Sequence, residues 1–257
     1  ALISLNVSSF DTSNVTDMSD MFYNCYNLTS LDLSSFNTSN VTDMNLMFYD
    51  CQALTTLDVS GFNTSNVVYM NSMFYNCRAL TSLNVSGFDT SNVTSMGQMF
   101  FYCPSLTTLD ISNFDTSKVT EMDDMFSYCQ ALTTIIVSSA LFKTTQVTSS
   151  SNMFLGCTNL IGGKETSYNS SYIDKTYARA DDAPTTPGYF TGIANCASLD
   201  STDGTLEIFY TGAAHTNGEV VGTKTYYTDI DQITGTTYPK WYSIRNSIIK
   251  ITIEDLD

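Results

Sequence analysis

The dipeptide Met-Phe recurs at a fixed interval over the first 154 of the 257 residues. It stands at 21/22, 47/48, 73/74, 99/100, 125/126 and 153/154, which gives four intervals of 26 residues followed by one of 28. A constant period in the twenties is typical of repeat proteins, in which each unit contacts only its neighbours along the array. The chain must therefore fold so that six similar units lie side by side.

Two hydrophobic periods occur within each unit. Apolar residues occupy the same nine positions, which in the second unit are Leu28, Leu31, Leu33, Phe36, Val41, Met44, Met47, Phe48 and Cys51. Around Leu31 and Leu33, apolar and polar residues alternate as in a β-strand. From Met44 the apolar spacing is i, i+3, i+4, i+7, which is one face of a helix. We therefore predict an α/β repeat with a strand and a short helix in every 26-residue coil, joined by the Asn- and Ser-rich turn at 37–40.

The pattern Leu-x-x-Leu-x-Leu at 28–33 resembles a leucine-rich repeat, with one departure. Phenylalanine follows three residues after the last leucine, where the common form has Asn or Cys, at Phe10, Phe36, Phe62, Phe88 and Phe114. Together with Phe-Asp-Thr-Ser-Asn-Val-Thr-Asp-Met at 10–18 and Met-Phe-Tyr-Asn-Cys at 21–25, this variant is similar to the BspA-like family of bacterial surface proteins, also called mycoplasma lipoprotein-associated. The resemblance covers residues 1 to about 160. It implies a leucine-rich-repeat solenoid, on a cell surface or secreted, that engages proteins of a host or of neighbouring cells.

Three regions are expected along the chain. Residues 1–160 form the solenoid of six coils, the last of which carries two extra residues. Residues 161–194 lose the period and gain tyrosines and prolines, which predicts an aromatic C-terminal cap. Residues 195–257 contain short β-branched and aromatic runs separated by Gly and Asn, at 205–210, 223–227, 240–244 and 248–253, which predicts a small β-rich module. By resemblance to the same family, this module lies between two repeat arrays.

The cysteines form a column of the repeat. Six of the seven share one position, at Cys25, Cys51, Cys77, Cys103, Cys129 and Cys157, and Cys196 lies outside the column. Metal sites need ligands close together, and these cysteines are 26 residues apart or more, so no metal is expected. Side chains stacked in parallel point alike rather than towards each other, which favours reduced, buried thiols over disulfides.

Composition and motifs exclude several function classes. Asp and Glu number 26 against 10 Lys and Arg, which is the opposite of what nucleic-acid binding needs. No run of about 18 apolar residues occurs, so we expect no insertion into a membrane. The single histidine, His215, lies in a glycine-rich loop, and the sequence holds no nucleophile-elbow, zinc-protease or phosphate-loop motif. We therefore expect a protein that is not an enzyme and has no cofactor.

Repeated surface columns are the candidates for binding. One is acidic and contains Asp32, Asp58 and Asp110, with Asn6 and Asn84 at the same position, and it is either a hydrated polar face or a calcium site. Another is aromatic and contains Tyr23, Tyr49, Tyr75 and Phe101. Exposed tyrosines suit protein recognition, although the same rings could instead lie down on the adjoining coil and shield its methionines.

These observations favour an extracellular or cell-surface protein that binds a protein partner through the outside of the solenoid and catalyses nothing. The alternative is a structural spacer or a self-assembling subunit, whose coils stack end to end on those of neighbouring chains.

Overall fold

The computed structural model describes residues 2–181, 184–200, 205–211, 219–221, 224–227 and 249–252. The chain divides into two compact units, Ala1–Gly192 and Ile193–Asp257. The first unit contains the repeats.

Short parallel strands form one side of the repeat array. They are β1 (Thr56–Asp58), β2 (Ser82–Asn84), β3 (Thr108–Asp110) and β4 (Thr134–Ser138). β1 pairs with β2 so that Thr56 lies opposite Ser82, and β3 pairs with β4 so that Thr108 lies opposite Thr134. Each residue pairs with its equivalent in the next repeat, so the strand register is the sequence period itself.

A second parallel ladder runs along another side of the array. It consists of single bridges, Asp17–Asp43, Asp43–Tyr69, Tyr69–Ser95, Ser95–Glu121 and Glu121–Ser149. The last bridge crosses the longer sixth repeat and still joins equivalent positions. Equivalent residues therefore face each other on both ladders, and the chain is a repeat protein built from short parallel strands and turns.

The predicted helix in each unit is wrong. Residues 45–50 form consecutive turns, and the backbone N–H groups of Met44 and Phe48 donate to the next unit, to Tyr69 O at 3.1 Å and Met73 O at 2.9 Å. The alternate N–H groups close tight turns within the unit, as Met47 N does to Met44 O. Among the described residues, the only helix is one 3₁₀ turn, Lys175–Tyr177.

Left-handed residues explain why no helix forms. Leu46 has φ 58° and Asp50 has φ 63°, and an α-helix cannot continue through this conformation. Both positions recur in every unit, at residues 20, 46, 72, 98, 124 and 152 and at residues 24, 50, 76, 102, 128 and 156. The turns still direct Met44, Met47, Phe48 and Cys51 inward, so the apolar spacing identified the buried positions but not the backbone.

The core is built from columns of identical side chains. Met44, Met47 and Phe48 are fully buried, and so are their equivalents in the next three units. The phenylalanine rings of this column stack on one another, with Phe48 and Phe74 at 5.6 Å between centroids and 2° between planes. Each unit therefore completes the core of the unit before it, which is what makes neighbouring units interdependent.

Residues after 160 cover the far end of this core. The N–H of Phe154 donates to Ile173 O at 2.9 Å, just as the N–H of Phe126 donates to Met153 O in the unit before. The buried ring of Tyr189 packs edge-on against Phe154, with centroids 5.2 Å apart, and Phe190 contacts the same ring at 5.7 Å. Asp181 is buried beside them and accepts from the N–H groups of Lys164 and Thr166.

The remaining strands are β5 (Phe190–Asp200), β6 (Thr205–Thr211), β7 (Glu219–Val221), β8 (Lys224–Tyr227) and β9 (Ile249–Thr252). β6 pairs antiparallel with both β5 and β9, and β8 pairs antiparallel with both β5 and β7. β6, β8 and β9 coincide with runs expected to be strands. The run at 240–244 and the loop of His215 lie outside the described residues, as does the side chain of Cys196.

Candidate functional site

The aromatic column forms a continuous stack that we call the aromatic ridge, comprising Tyr23, Tyr49, Tyr75 and Phe101. Successive ring centroids lie 4.8, 4.4 and 4.6 Å apart, and the planes differ by 17°, 9° and 8°. Tyr23 is 43% exposed, and the other three side chains are half-buried. Because each ring face lies against the next ring, the ridge presents mainly ring edges and hydroxyl groups.

The backbone ladder sets the ring spacing of the ridge. Asn24 N donates to Tyr49 O at 2.8 Å and Asp50 N donates to Tyr75 O at 2.8 Å, so equivalent backbones lie about one strand spacing apart. That spacing, about 4.8 Å, is also a favourable distance for stacked aromatic rings. The ring therefore stacks on its neighbour as a direct result of repeating the same residue every 26 positions.

The environment of the ridge changes the ionisation of Tyr49. Burial raises the pKa of Tyr49 to about 12, and the neighbouring phenols of Tyr75 and Tyr23 and the carboxyl of Asp50 add to the shift. The Tyr49 hydroxyl is therefore protonated at any physiological pH.

An irregular cluster adjoins the ridge at the third to fifth units. The guanidinium of Arg78 lies over the Tyr102 ring at 5.2 Å, and its Nε donates to Asn76 Oδ1 at 2.8 Å. Tyr128 meets Phe101 edge-on at 5.7 Å between centroids. Sequence reasoning missed Arg78. The signal was available, because Arg78 is the only arginine in the sequence of the six repeats.

The acidic column caps the turn that follows each strand. In the first five units the side-chain Oδ1 accepts from the backbone N–H two residues on, in the pairs Asn6–Ser8, Asp32–Ser34, Asp58–Ser60, Asn84–Ser86 and Asp110–Ser112, at 2.9–3.1 Å. Asp and Asn share this acceptor atom, which explains why both occur in the column.

These turns also set the ionisation of the exposed carboxyls. The N–H and hydroxyl of Ser34 lower the pKa of Asp32. The hydroxyl and N–H of Ser60 do the same for the pKa of Asp58. Over the described residues, no group of three or more His, Cys, Asp and Glu side chains is placed to hold a metal ion.

Comparison with known proteins places the repeats in a family. Residues 2–86 and 79–185 each match the family described as Mycoplasma protein of unknown function, DUF285. The chain belongs to this DUF285 family. No curated protein and no solved structure matches the chain. In the described part of this DUF285 protein, no helix has both the length and the apolar character needed to cross a bilayer.

The cysteine column of this DUF285 protein consists of free thiols that bond to the backbone. The five buried sulfur atoms, at Cys51, Cys77, Cys103, Cys129 and Cys157, lie 2.9–3.3 Å from the carbonyl oxygen of a phenylalanine in the preceding unit. Cys25, the first of the column, is partly buried. Burial raises the pKa of Cys51 to about 12, with a further contribution from Cys25, so this thiol stays protonated and can donate.

Two polar columns that join the units of the DUF285 array were not singled out from the sequence as separate features. Buried threonines form the first, at Thr12, Thr38, Thr64, Thr90 and Thr116. Thr64 Oγ1 donates to Asp89 O at 2.9 Å and accepts from Asp89 N at 2.8 Å. Asparagines form the second column, and Asn66 Nδ2 donates to Ser39 O in the unit before at 2.8 Å. The threonine column was visible as a residue repeated without change in the turn, whereas Lys118 replaces asparagine in the second column in the fifth unit.

Proposed function

We propose that this DUF285 protein is a BspA-like leucine-rich-repeat solenoid, exposed on a cell surface or secreted, that binds a protein partner without catalysis. The partner is a protein of a host or neighbouring cell, and the contact surface is the aromatic ridge. The matched family and the pairing of equivalent residues in successive repeats support the repeat architecture.

The observation that carries the binding proposal is the pre-ordered, partly exposed stack of Tyr23, Tyr49 and Tyr75. Tyrosine offers a large contact area for little loss of side-chain entropy. Stacking already restricts the side-chain conformations of these rings, so binding a partner costs less conformational entropy. Ring edges carry partial positive charge and the hydroxyls donate, so a partner should offer carbonyl or carboxylate oxygens and aromatic faces.

The acidic column supports the non-catalytic part of the proposal. Asp32 and Asp58 accept from backbone N–H groups in their own turns, and their pKa values are lowered. A carboxylate held in this way is a weak base at neutral pH, because a general base works best with a pKa near the operating pH.

The binding proposal is tested on cell surfaces. The purified chain is labelled, and its retention is measured on intact epithelial cells and on cells stripped of surface protein by protease. We expect the double variant Tyr49→Ser, Tyr75→Ser to bind intact cells roughly tenfold or more weakly, because tyrosines are enriched among the hot spots of protein interfaces. Circular dichroism establishes that the variant is folded.

A matched control alters two exposed threonines instead. Thr55 and Thr107 lie outside the ridge and are exposed, so the double variant Thr55→Ala, Thr107→Ala should bind as the unaltered chain does. Equal retention of both double variants would show that the ridge is not the contact surface. Retention on protease-treated cells that equals retention on intact cells would argue against a protein partner.

The alternative function, a structural spacer or self-assembling subunit, makes a different prediction in solution. Light scattering at rising protein concentration should then show an increasing mass, whereas a binding module of the kind proposed stays monomeric.

A further inference from the structure

We propose that the aromatic ridge is a site of oxidative cross-linking, at which a peroxidase and hydrogen peroxide join Tyr49 to Tyr75 or to Tyr23 through a dityrosine bond. The inference rests on the geometry of the stack and does not depend on the binding proposed above. It assigns the ridge a covalent chemistry in addition to any recognition.

The first step of the argument is proximity. Dityrosine forms between the ring carbons next to the hydroxyl group, so two phenols must be held side by side. Tyr49 and Tyr75 have centroids 4.4 Å apart and planes 9° apart, and Tyr23 lies 4.8 Å from Tyr49 on the other side. Coupling within such a stack is effectively unimolecular, because the backbone ladder has already brought the reactants together.

The second step is access. Tyr23 is 43% exposed, and Tyr49 and Tyr75 are half-buried. Since the ring faces cover one another, the exposed part of each ring is an edge. An oxidant can therefore reach a phenol of the ridge without unfolding of the array.

The chemistry balances with hydrogen peroxide as the oxidant. The peroxidase takes one electron and one proton from each of two phenols, and one hydrogen peroxide is reduced to two water molecules. The two phenoxyl radicals form a carbon–carbon bond between the carbons next to oxygen. Each of those carbons then passes its hydrogen to the oxygen of its own ring, which restores both phenols. The product has lost two hydrogen atoms in total.

The sequence of the ridge directs the reaction. Phe101 stacks on Tyr75 at 4.6 Å but has no hydroxyl, so it cannot form a phenoxyl radical and the coupling stops there. Tyr49 is the common partner of both possible bonds. Either bond would covalently join two successive units, across 26 residues of sequence.

The experiment treats the full chain, at high dilution, with a haem peroxidase and hydrogen peroxide, and then cleaves at methionine with cyanogen bromide. The methionines separate the ridge tyrosines, because Tyr23, Tyr49 and Tyr75 fall in fragments 22–44, 48–70 and 74–96. We expect blue dityrosine fluorescence, a chain that keeps the monomer mass less two hydrogens, and a joined pair of fragments that contains 48–70.

Other tyrosine pairs give different products. Tyr172 and Tyr177 are stacked at 4.5 Å, but both lie in the methionine-free fragment 154–257, so their coupling joins no fragments. Tyr102 and Tyr128, tilted at 6.1 Å, would join 100–122 to 126–153.

Two variants decide the assignment. Tyr49→Phe should abolish every joined product that contains 48–70, and it should fold because phenylalanine already occupies this column at Phe101. Tyr69→Phe is the matched control, since Tyr69 is in the same fragment and 46% exposed but no ring contact involves it within the described residues. The control should cross-link like the unaltered chain. The proposal would be overturned if fragment 48–70 were still joined to another fragment in Tyr49→Phe, or if a joined product were lost in Tyr69→Phe. Cross-links that form only between chains would overturn it as well.

Discussion

At the scale of the residue, one buried hydroxyl per unit joins each unit to the next. Thr64 is fully buried and both donates to and accepts from the backbone of Asp89. Thr116 makes the same pair of bonds to Lys143, in the longer sixth repeat. Backbone groups in a turn must find partners when buried, and here the side chain of the previous unit supplies them.

Replacing Thr64 by Val should therefore destabilise the array. Valine has nearly the same shape, but it leaves the N–H and C=O of Asp89 without the bonds that Thr64 provides, at a cost of about 1–3 kcal/mol. Thr64→Ser keeps the hydroxyl and should lose less. Chemical denaturation measures both changes.

Thr94→Val is the control, because Val68 already occupies that column, and it should change the free energy of unfolding by under about 0.5 kcal/mol. Equal losses for Thr64→Val and Thr94→Val would contradict this role.

At the scale of the element, the left-handed residues decide which structure the Met-Phe segment adopts. Leu46 has φ 58° at a position where other units have Asp20, Asp124 and Asn152. An ordinary side chain in this conformation costs about 1–2 kcal/mol, whereas Asn and Asp adopt it more readily. The second unit therefore contains a local conflict between its residue and its backbone.

Leu46→Asn should relieve this conflict. The substitution loses some apolar contact, because Leu46 is half-buried, so the informative comparison is with Leu46→Ala, which loses similar contact and keeps an unfavourable residue. We expect the Asn variant to be more stable than the Ala variant by about 1 kcal/mol. Thermal unfolding followed by calorimetry measures the difference. An Asn variant that is less stable than the Ala variant would contradict a conflict between residue 46 and its left-handed backbone conformation.

The same element shows how far sequence reasoning reaches. The period predicted the register of the paired strands and most of the buried positions, although Phe10 in the first unit is 46% exposed and Leu31 and Leu83 are only partly buried. The helix prediction was wrong because apolar residues at i, i+3, i+4 and i+7 are compatible with two backbones. One is an α-helix, and the other is a series of turns that contains two left-handed residues. The hydropathy pattern does not show whether a backbone N–H donates to the carbonyl four residues earlier or to a carbonyl of the next unit. Leucine at position 46 also gives no indication of a positive φ. For the candidate site, the sequence located the aromatic column, but the stacking of its rings depends on this backbone ladder.

At the scale of the whole molecule, a repeat array depends on how its last unit is covered. Units that contact only their neighbours fray from the end, so stability at the terminus limits the array. Tyr189 and Phe190 cover Phe154, and Asp181 holds the chain around them. Its carboxylate accepts from Thr166 Oγ1 at 2.6 Å and from the N–H groups of Lys164, Thr166 and Gly188 at 2.9–3.3 Å.

These bonds make the far end of the array sensitive to acid. Burial of Asp181 favours the neutral form, but the hydrogen bonds from Thr166, Lys164 and Gly188 outweigh burial and lower the pKa of its carboxyl below the usual 3.8. A lowered pKa means that the folded state favours the ionised form. The stabilisation is therefore fully present above the unfolded pKa, near 3.8, and is lost as the pH falls through the lower folded value.

Asp181→Asn should remove that stabilisation at neutral pH. The amide keeps one acceptor oxygen but loses the charge and replaces the other acceptor with a donor, for which we expect a loss of about 2–4 kcal/mol near pH 7. The gap between variant and unaltered chain should narrow as the pH falls from about 5 to about 2, because the unaltered chain then loses the same charge. Urea unfolding across this range measures the gap. Asp32→Asn is the control, since Asn6 and Asn84 already serve in that exposed column, and it should leave the urea midpoint at neutral pH nearly unchanged. A gap for Asp181→Asn that stays constant down to about pH 2 would mean that its carboxylate charge does not stabilise the end of the array.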